Sequence, residues 1–445
     1  MDYPNSFNEK IEKMTKDEIT ELQNVKLKKQ MAYVYANSPF YQEKLKEAGL
    51  KPEQLKTVDD LVNFPFTTKY ELRDSQVSYP PYGNHVCANE EKIIRVHASS
   101  GTTGAPSYIP ITAHDRDVWT EVVSRCYYAE GVRPNSKVVM GFGIGFFVGG
   151  LPLHDAIENI GATFIPIGTG NSDRIVSSFV NLKADMLTCT PSYAIYLAEW
   201  IRNKLSMDPR ELGVKRILCG AEPGGGVPGV RKKIEDDWGA IVSESLGNAD
   251  ILPVYCAECE ERTGNHFLGH DMIYLEIIDP ETGQRLKMED GASGELVATH
   301  LDRDTVPIIR FRTRDRIEVY DDPCACGRKT FRVRCVGRTD DMLIVLGVNV
   351  FPSAIKDVVS EFRPKTTGEI QILLEKPGPK VDPPLKIQVE YAAGVEDLAT
   401  LKKQIEGELR SKLIFQPQVE LVPEGILPRF EMKAQLIKKL YEETA

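Results

Sequence analysis

Ser99-Ser100-Gly101-Thr102-Thr103-Gly104-Ala105-Pro106 is the stretch on which the reading of this chain turns. Its two glycines permit tight turns with positive φ. The hydroxyls and N–H groups between them can form a concave donor surface for phosphate oxygens. A short strand candidate, Ile93-Val96, precedes it, which suits a loop projecting from a sheet edge. The P-loop pattern is excluded, because no Gly-Lys-Ser/Thr end is present. By composition alone, a Ser/Thr/Gly surface loop is the commoner reading and a phosphate cradle the sharper one.

On both sides of this loop, strand candidates alternate with helix candidates. β-branched runs stand at Lys137-Met140, Thr163-Pro166, Met186-Thr190, Arg216-Leu218 and Ala240-Ser243. Helical patterns lie between them, such as Arg116-Tyr128 and Pro191-Lys204. That alternation predicts an α/β layered core. Upstream, Phe7 to Leu50 reads as mostly helix, with Ile11 and Met14, then Ile19, Leu22 and Val25, at three-residue spacing. After Gly269 the pattern becomes β-rich, with strands at Met272-Ile278, Gly294-Ala298 and Arg316-Val319. Beyond the charged cluster Arg338-Thr339-Asp340-Asp341 a new unit begins. It has a strand at Leu343-Val345, a helix from Ser353 to Phe362, strands Glu369-Leu374 and Leu385-Tyr391, and a helix over Val395 to Leu413. A last amphipathic helix is expected to end the chain. The fold class is therefore α/β: a large N-terminal α/β domain over 1–337, with a β-rich part over about 250–337, and a small C-terminal α+β domain over 338–445.

The 445 residues can bury a large core without a staple. A net charge of -10 argues against a protein whose main task is neutralising nucleic-acid phosphates. Nine cysteines with no secretory N-terminus suggest a reducing compartment, so a soluble, cytoplasmic protein is expected. The longest uncharged apolar run, Val138 to Leu153, is too short to span a bilayer and is broken by five glycines and a proline. No membrane partner is expected.

The octapeptide resembles the nucleotide loop of adenylate-forming enzymes, and it does not stand alone. Gly220-Ala221-Glu222-Pro223, Phe311-Arg312-Thr313-Arg314-Asp315, Gly337-Arg338-Thr339-Asp340-Asp341-Met342, Gly347-Val348-Asn349-Val350-Phe351-Pro352 and Lys433 occur in that family's order. The wording is similar to the phenylacetate–coenzyme A ligase branch. Asn37-Ser38-Pro39-Phe40-Tyr41, Phe64-Pro65-Phe66-Thr67-Thr68-Lys69 and Thr190-Pro191-Ser192-Tyr193 match that branch too. The resemblance covers nearly the whole chain.

It implies a two-step reaction on a small carboxylic acid. ATP and the acid give an acyl-adenylate and pyrophosphate; coenzyme A then attacks the acyl carbon and releases AMP. A carboxylate is a poor electrophile, and adenylation supplies a good leaving group. The charge on the transferring phosphoryl group must be offset by donors and a cation. By resemblance Ser99, Ser100, Gly101, Thr102, Thr103 and Gly104 cradle the phosphates of ATP. Lys433 reaches the α-phosphate and carboxylate oxygens. Asp315 accepts from the ribose hydroxyls, and Arg338 contacts ribose or phosphate. Gly220, Ala221, Glu222 and Pro223 line the adenine site, with Gly247 and Asn248 beside the nucleotide. Asp340 is the hinge of a mobile C-terminal domain, and Gly347 lines the pantetheine channel. A homodimer is implied as well.

Three departures mark a divergent subgroup. Members usually carry Tyr-Gly-x-Ser/Thr-Glu where this chain has Leu246-Gly247-Asn248-Ala249-Asp250. The aromatic partner of adenine is lost, and the acid that holds Mg²⁺, Asp250, is one methylene shorter. Ala105 replaces a common lysine, and Met432 a common glycine before the catalytic lysine.

Cys259, His266, Cys324 and Cys326 make a candidate closed tetrahedral Zn²⁺ site. Spacing alone is moderate support, and resemblance to zinc-carrying members of the branch adds to it. Cys256 and His270 are spare candidates. Cys87, Cys126, Cys189, Cys219 and Cys335 read as ordinary buried thiols. The acyl pocket is expected around Gly141 to Gly150, with Phe142, Gly143, Phe146 and Phe147 presenting backbone and ring faces to a flat ligand. His97 and His154 are candidates for its lining, with a satisfied core or loop histidine the plainer reading.

The resemblance implies an AMP-forming ligase of an aryl or arylacetic acid, phenylacetate by default, using ATP, Mg²⁺ and coenzyme A with structural Zn²⁺. Two alternatives stand beside it. One is a nucleotidyltransferase of the same fold, similar to coenzyme F390 synthetase, that leaves AMP on a cofactor. The other is a non-catalytic zinc-stabilised binding protein.

Overall fold

The computed structural model describes residues 3–99, 107–339, 341–346, 348–430 and 434–443. The chain forms two compact units. The first comprises Met1–Gly168 and Ser243–Arg334, the second Thr169–Val242 and Cys335–Ala445.

The first unit opens with helices Glu9–Glu12, Lys16–Asn37 and Pro39–Glu47. Each start has a local cause. Thr15 and Glu18 form a capping box, and Ser38 caps the third helix with Pro39 in its first turn. The long helix buries Gln23, Leu27, Gln30, Met31 and Val34. The expected stripe through Ile19, Leu22 and Val25 is not that face, and Val25 is 62% exposed. A repeat of three residues turns about 60° short of a full circle each time, so it winds off any one face; steps of three and four stay on it.

Strands Lys137–Met140 and Thr163–Ile165 pair in parallel, with helix Leu151–Ile160 between them in sequence. A longer run of neighbouring strands follows the order Arg285–Leu286, Ile273–Ile278, Ser293–His300, Phe311–Tyr320, Arg332–Arg338, Asn265–Phe267, Leu252–Glu258 and Ile241–Asn248. Among these strands, Leu252–Glu258 and Asn265–Phe267 precede Gly269. Leu252–Glu258 is buried along its whole length, so it lacks the alternation that marks a half-exposed strand.

Gly247 sits where this run bulges, between Leu246↔Cys256 and Asn248↔Leu252. A Cβ at Gly247 would lie 1.7 Å from the Pro253 carbonyl oxygen, an impossible overlap with backbone. Gly247→Ala is therefore expected to cost about 3 kcal/mol or more, read as a lowered urea midpoint or a loss of soluble protein.

Three buried histidines of this unit are held neutral. Burial pushes His85 and His97 down to about 4 and His300 to about 3. In the unfolded chain they take up protons near pH ~6.5. Their contribution is therefore complete above that pH and fades as pH falls through the folded values. The urea midpoint is expected to drop between pH 7 and pH 4.5, and replacing His300 by a neutral isostere should reduce the slope.

In the second unit, Met186–Cys189 and Arg216–Cys219 pair in parallel, with helix Pro191–Leu205 between them in sequence. Its later part has a sheet in the order Pro417–Pro423, Leu385–Tyr391, Thr366–Leu374, Ile437–Lys439. Helices Pro352–Ser360 and Leu398–Leu413 supply Ile355, Val359, Leu401, Ile405 and Leu409 to one core with Ile370, Ile372, Leu385 and Ile387. The last helix expected at the end of the chain is a single turn among the described residues, Leu440–Glu443. Ile437–Lys439 adds a parallel strand beside Ile372–Leu374, and only Leu440–Glu443 is helical. Leu436 and Ile437 pack on the core from that edge, so strand pairing overrides a helical period. Cys335 is half-buried rather than buried, whereas Cys87, Cys126, Cys189 and Cys219 are buried as expected.

Candidate active site and metal centre

Arg95–Ala98 and Tyr108–Ile111 form an antiparallel pair that ends at Ala98↔Tyr108. The first strand lies two residues later than Ile93-Val96. Ser99 N–H donates to the Ser107 carbonyl at 3.0 Å, and Ser107 N–H to Ser99 Oγ at 3.3 Å. The loop that carries the phosphate motif therefore leaves a closed hairpin base. Ser100, Gly101, Thr102, Thr103 and Gly104 lie outside the described residues, as do Asp340, Gly347 and Lys433.

The Gly141 to Gly150 stretch is tied to the same hairpin, since Ala98 N–H donates to the Phe146 carbonyl at 2.9 Å. Phe142 and Gly143 are half-buried, while Phe146 and Phe147 are exposed. The two histidines differ. His154 is a surface group beside Asp155 and Glu158, each at 3.0 Å. His97 is fully buried 5.8 Å from the Trp119 ring, and its ring nitrogens have no hydrogen-bond partner among the described residues. It is a core histidine, beside the backbone of Phe146 and Phe147.

Asp250 lies in the turn of the bulged hairpin, between Ile241–Asn248 and Leu252–Glu258, and is almost fully buried. Its N–H donates to Asn248 Oδ1 at 3.0 Å, and its Oδ2 accepts from Lys69 Nζ at 2.8 Å. Lys69 was not singled out as a site residue, although the motif that ends in it was. The signal was present, because Lys69 opens helix Lys69–Ser78 behind a Thr68/Glu71 capping box, which fixes where its side chain starts. The same motif is laced to the strand bearing Asp315. Thr67 N–H donates to the Arg310 carbonyl at 2.9 Å, and Arg312 N–H to the Thr67 carbonyl at 3.0 Å. Asp315 is buried on Phe311–Tyr320, with its N–H bonded to Thr313 Oγ1 at 3.1 Å.

In the second unit, Gly220 to Pro223 follow strand Arg216–Cys219. Ala221 is exposed in the left-handed region at φ 70°. Glu222 turns both oxygens to backbone donors: Oε1 accepts Ser192 N–H at 2.9 Å and Oε2 accepts Ala434 N–H at 2.5 Å. Arg338 ends strand Arg332–Arg338, half-buried.

Cys259, His266, Cys324 and Cys326 converge, their ligand atoms all within 4.8 Å of one another. Cys259 stands just after Leu252–Glu258, and His266 lies opposite Ala257 in the adjoining hairpin. Cys324 and Cys326 come from one turn, closed by Gly327 N–H to the Cys324 carbonyl at 3.1 Å, with Gly327 at φ 85°. The spare candidates stay out. Cys256 is a core residue opposite Phe267, and His270 bonds the carbonyls of Phe267 and Ile11.

The donor set fits zinc. Tetrahedral Zn²⁺ with ordinary bond lengths puts two sulfurs about 3.8 Å apart and a sulfur and a nitrogen about 3.6 Å apart. Cys259 Sγ and Cys324 Sγ are 3.6 Å apart, and Cys326 Sγ and His266 Nε2 are 3.3 Å apart. The Cys259 hydrogen bond, then that of His266, hold the Cys326 thiol far below its ordinary value, while Cys259 is pushed up as the donor. Arg328, next to this turn, donates to Glu12 Oε2 at 2.9 Å and ties it to the first helix.

Residues 347–439 match the AMP-binding enzyme C-terminal domain family. The chain is 34% identical over 443 residues to phenylacetate–coenzyme A ligase of Thermus thermophilus, covering 96% of this chain and 97% of that one. It is 33% identical over 428 residues to the Escherichia coli phenylacetate–coenzyme A ligase, covering 95% of each. Among solved structures, 2-hydroxyisobutyryl-CoA ligase in the postadenylation state with 2-HIB-AMP superposes with a TM-score of 0.91 at 29% identity, covering 99% of this chain and 94% of that one. ATP-bound MatB from Rhodopseudomonas palustris shares the fold, with a TM-score of 0.57 at 16% identity, over 79% of this chain and 68% of that one. The chain belongs to the phenylacetate–coenzyme A ligase branch of the adenylate-forming enzymes and is an AMP-forming coenzyme A ligase.

Proposed function

We propose that the acid activated by this chain is an aryl or arylacetic acid of the phenylacetate class. The observation that carries this is likeness over nearly the full length to ligases named for phenylacetate, from several bacteria. The half-buried Phe142 and the Phe146-Phe147 pair beside the hairpin base supply ring faces for such a group. A ligase of similar fold is named for 2-hydroxyisobutyrate, so a small hydroxy acid belongs in the test.

In this reading, Ser99 and the loop after it bind the phosphates of ATP. Asp315 orients the ribose, and Arg338 contacts ribose or phosphate. Asp250 has one oxygen on Lys69, which leaves Oδ1 for a divalent cation beside substrate phosphates. Mg²⁺, when bound, offsets charge on the phosphoryl oxygens. Lys433 neutralises the α-phosphate and the attacking carboxylate as the acyl–oxygen–phosphorus bond forms and pyrophosphate leaves. The coenzyme A thiolate then adds to the acyl carbon, and AMP departs. Residues 338–445 act as the mobile domain with Asp340 as its hinge, and Gly347 lines the thiol's approach. Cys259, His266, Cys324 and Cys326 hold Zn²⁺ as a closed structural site with no position left for catalysis.

The test is acid-dependent ATP–pyrophosphate exchange over benzoic, phenylacetic, indoleacetic, 2-hydroxyisobutyric and short fatty acids, with each positive acid then assayed for thioester. Exchange and thioester with the aryl acids support the reading. Activity confined to the hydroxy or fatty acids overturns the substrate class. Exchange without thioester moves AMP or acyl transfer to another acceptor.

A further inference from the structure

Residues 4–13 are held by later parts of the first unit rather than by their own secondary structure. The helix among them, Glu9–Glu12, has four residues, too few to persist alone. Tertiary anchors hold it instead. Tyr128 Oη donates to the Pro4 carbonyl at 2.9 Å, Asn8 Nδ2 to Glu121 Oε1 at 2.7 Å, and His270 Nε2 bonds the Ile11 carbonyl at 3.1 Å. Arg328 is the anchor that faces the metal centre. Its Nη2 donates to the Asn5 carbonyl at 3.0 Å, while Nε and Nη2 reach Glu12 Oε2 at 2.9 Å and 2.6 Å.

Arg328 directly follows the turn that brings in two of the metal ligands, Cys324 and Cys326, closed by Gly327 N–H on the Cys324 carbonyl. It also bonds the Cys326 sulfur, through its backbone N–H and its guanidinium. Thiolates on zinc accept such bonds, and three of them on one Zn²⁺ leave a net negative charge for the guanidinium to face. On its other side the guanidinium meets Glu12, and both side chains of that pair are buried. A buried ion pair that loses one partner leaves the other charge uncompensated. Thiolate, guanidinium and carboxylate therefore depend on one another.

We propose that Arg328 is a positioning residue that couples the metal centre to the docking of residues 4–13, which form a strap held down when zinc is bound and released when zinc is lost. The proposal rests on the zinc reading given above. It gives the metal a second role, because the four ligands by themselves close only one hairpin and one turn. It also gives roles to Glu12 and Arg328, which no motif marked. Coupling of this kind is reciprocal: the factor by which zinc favours the docked strap is the factor by which the docked strap favours zinc.

Glu12→Gln is the sharpest probe. It keeps the shape of the side chain and an acceptor for Asn8 N–H, and it removes the charge opposite Arg328. Arg328→Lys keeps the charge and loses the fork that reaches Asn5 and Glu12 together. Tyr128→Phe is the control. It removes the bond at Pro4 and leaves Arg328 and the ligands as they are. The three variants are compared with wild type as full-length, zinc-loaded proteins, after circular dichroism has shown that they fold.

Two readouts are needed, one for each direction of the coupling. Zinc affinity, read by competition with a chromophoric chelator, should fall about 10–100-fold in Glu12→Gln and Arg328→Lys, the usual effect of losing a group that supports a ligand, and stay within about twofold in Tyr128→Phe. In wild type, hydrogen–deuterium exchange in peptides spanning 4–13 should rise about tenfold when zinc is stripped, since a hydrogen bond to a charged group is worth roughly that much or more. Unchanged exchange on stripping overturns the strap. So does wild-type zinc affinity in both Glu12→Gln and Arg328→Lys, or an equal fall in Tyr128→Phe, which would make loosened packing the cause. A wild type that takes up no zinc overturns the metal reading and the proposal together. A zinc-loaded protein whose strap ignores the metal overturns the proposal alone.

Discussion

Lys433→Ala lowers acid-dependent pyrophosphate exchange by about 10²–10³-fold or more, with zinc content and unfolding midpoint unchanged. The size follows from the charge the lysine must meet. The attacking carboxylate and the α-phosphate are both anionic, and they approach one another in the transition state. A single preorganised donor at such a developing charge is worth about that factor. An interaction made only in the transition state lowers kcat and kcat/KM together, so saturating acid should not rescue the variant. Thioester formation from supplied acyl-adenylate should survive, because the bond between carboxylate and phosphorus is already made and the two anions no longer have to be brought together. Exchange near the wild-type rate would show that the adenylating cation is another group. Lys69, which already holds Asp250, would then be the first to replace.

Cys326→Ser, and separately His266→Ala, abolish zinc binding and lower the unfolding midpoint by about 8–16 °C, with metal analysis of wild type giving one zinc per chain. A metal bound at about a thousand times its dissociation constant stabilises by about 4 kcal/mol. Each kcal/mol shifts the midpoint of a unit of this size by about 2–4 °C. The four ligands come from one hairpin and one turn, and the Arg328–Glu12 pair extends the effect to the first helix. A sample with no zinc and a wild-type midpoint would mean that the cluster is a set of reduced thiols.

The chain's family and the four residues of the Cys/His cluster were legible from residue order. Each depends on residue types at short or fixed spacing. Other features were hidden for definite reasons. Leu252–Glu258 is buried on both faces, so no period of two marks it. The terminal strand Ile437–Lys439 exists because Thr366–Leu374 offers it a free edge, and the local sequence there also suits a helix. His97 and His154 look alike in sequence. Packing against Trp119 makes one a buried core group, and a helix surface leaves the other among acids.

Sequence alone determined the chemistry of the parts: a donor-rich loop, an acid at Asp315, a late lysine, three thiols and an imidazole. These follow from side-chain type, which folding does not alter. Tertiary structure decided the partners. It set Lys69 on Asp250, chose His266 over His270, and brought Glu222 to Ala434 and Glu199 to Arg429. A hydrogen bond or ion pair acts over about 3 Å. Residues 30 to 230 positions apart reach that distance only where packed strands and helices bring them together.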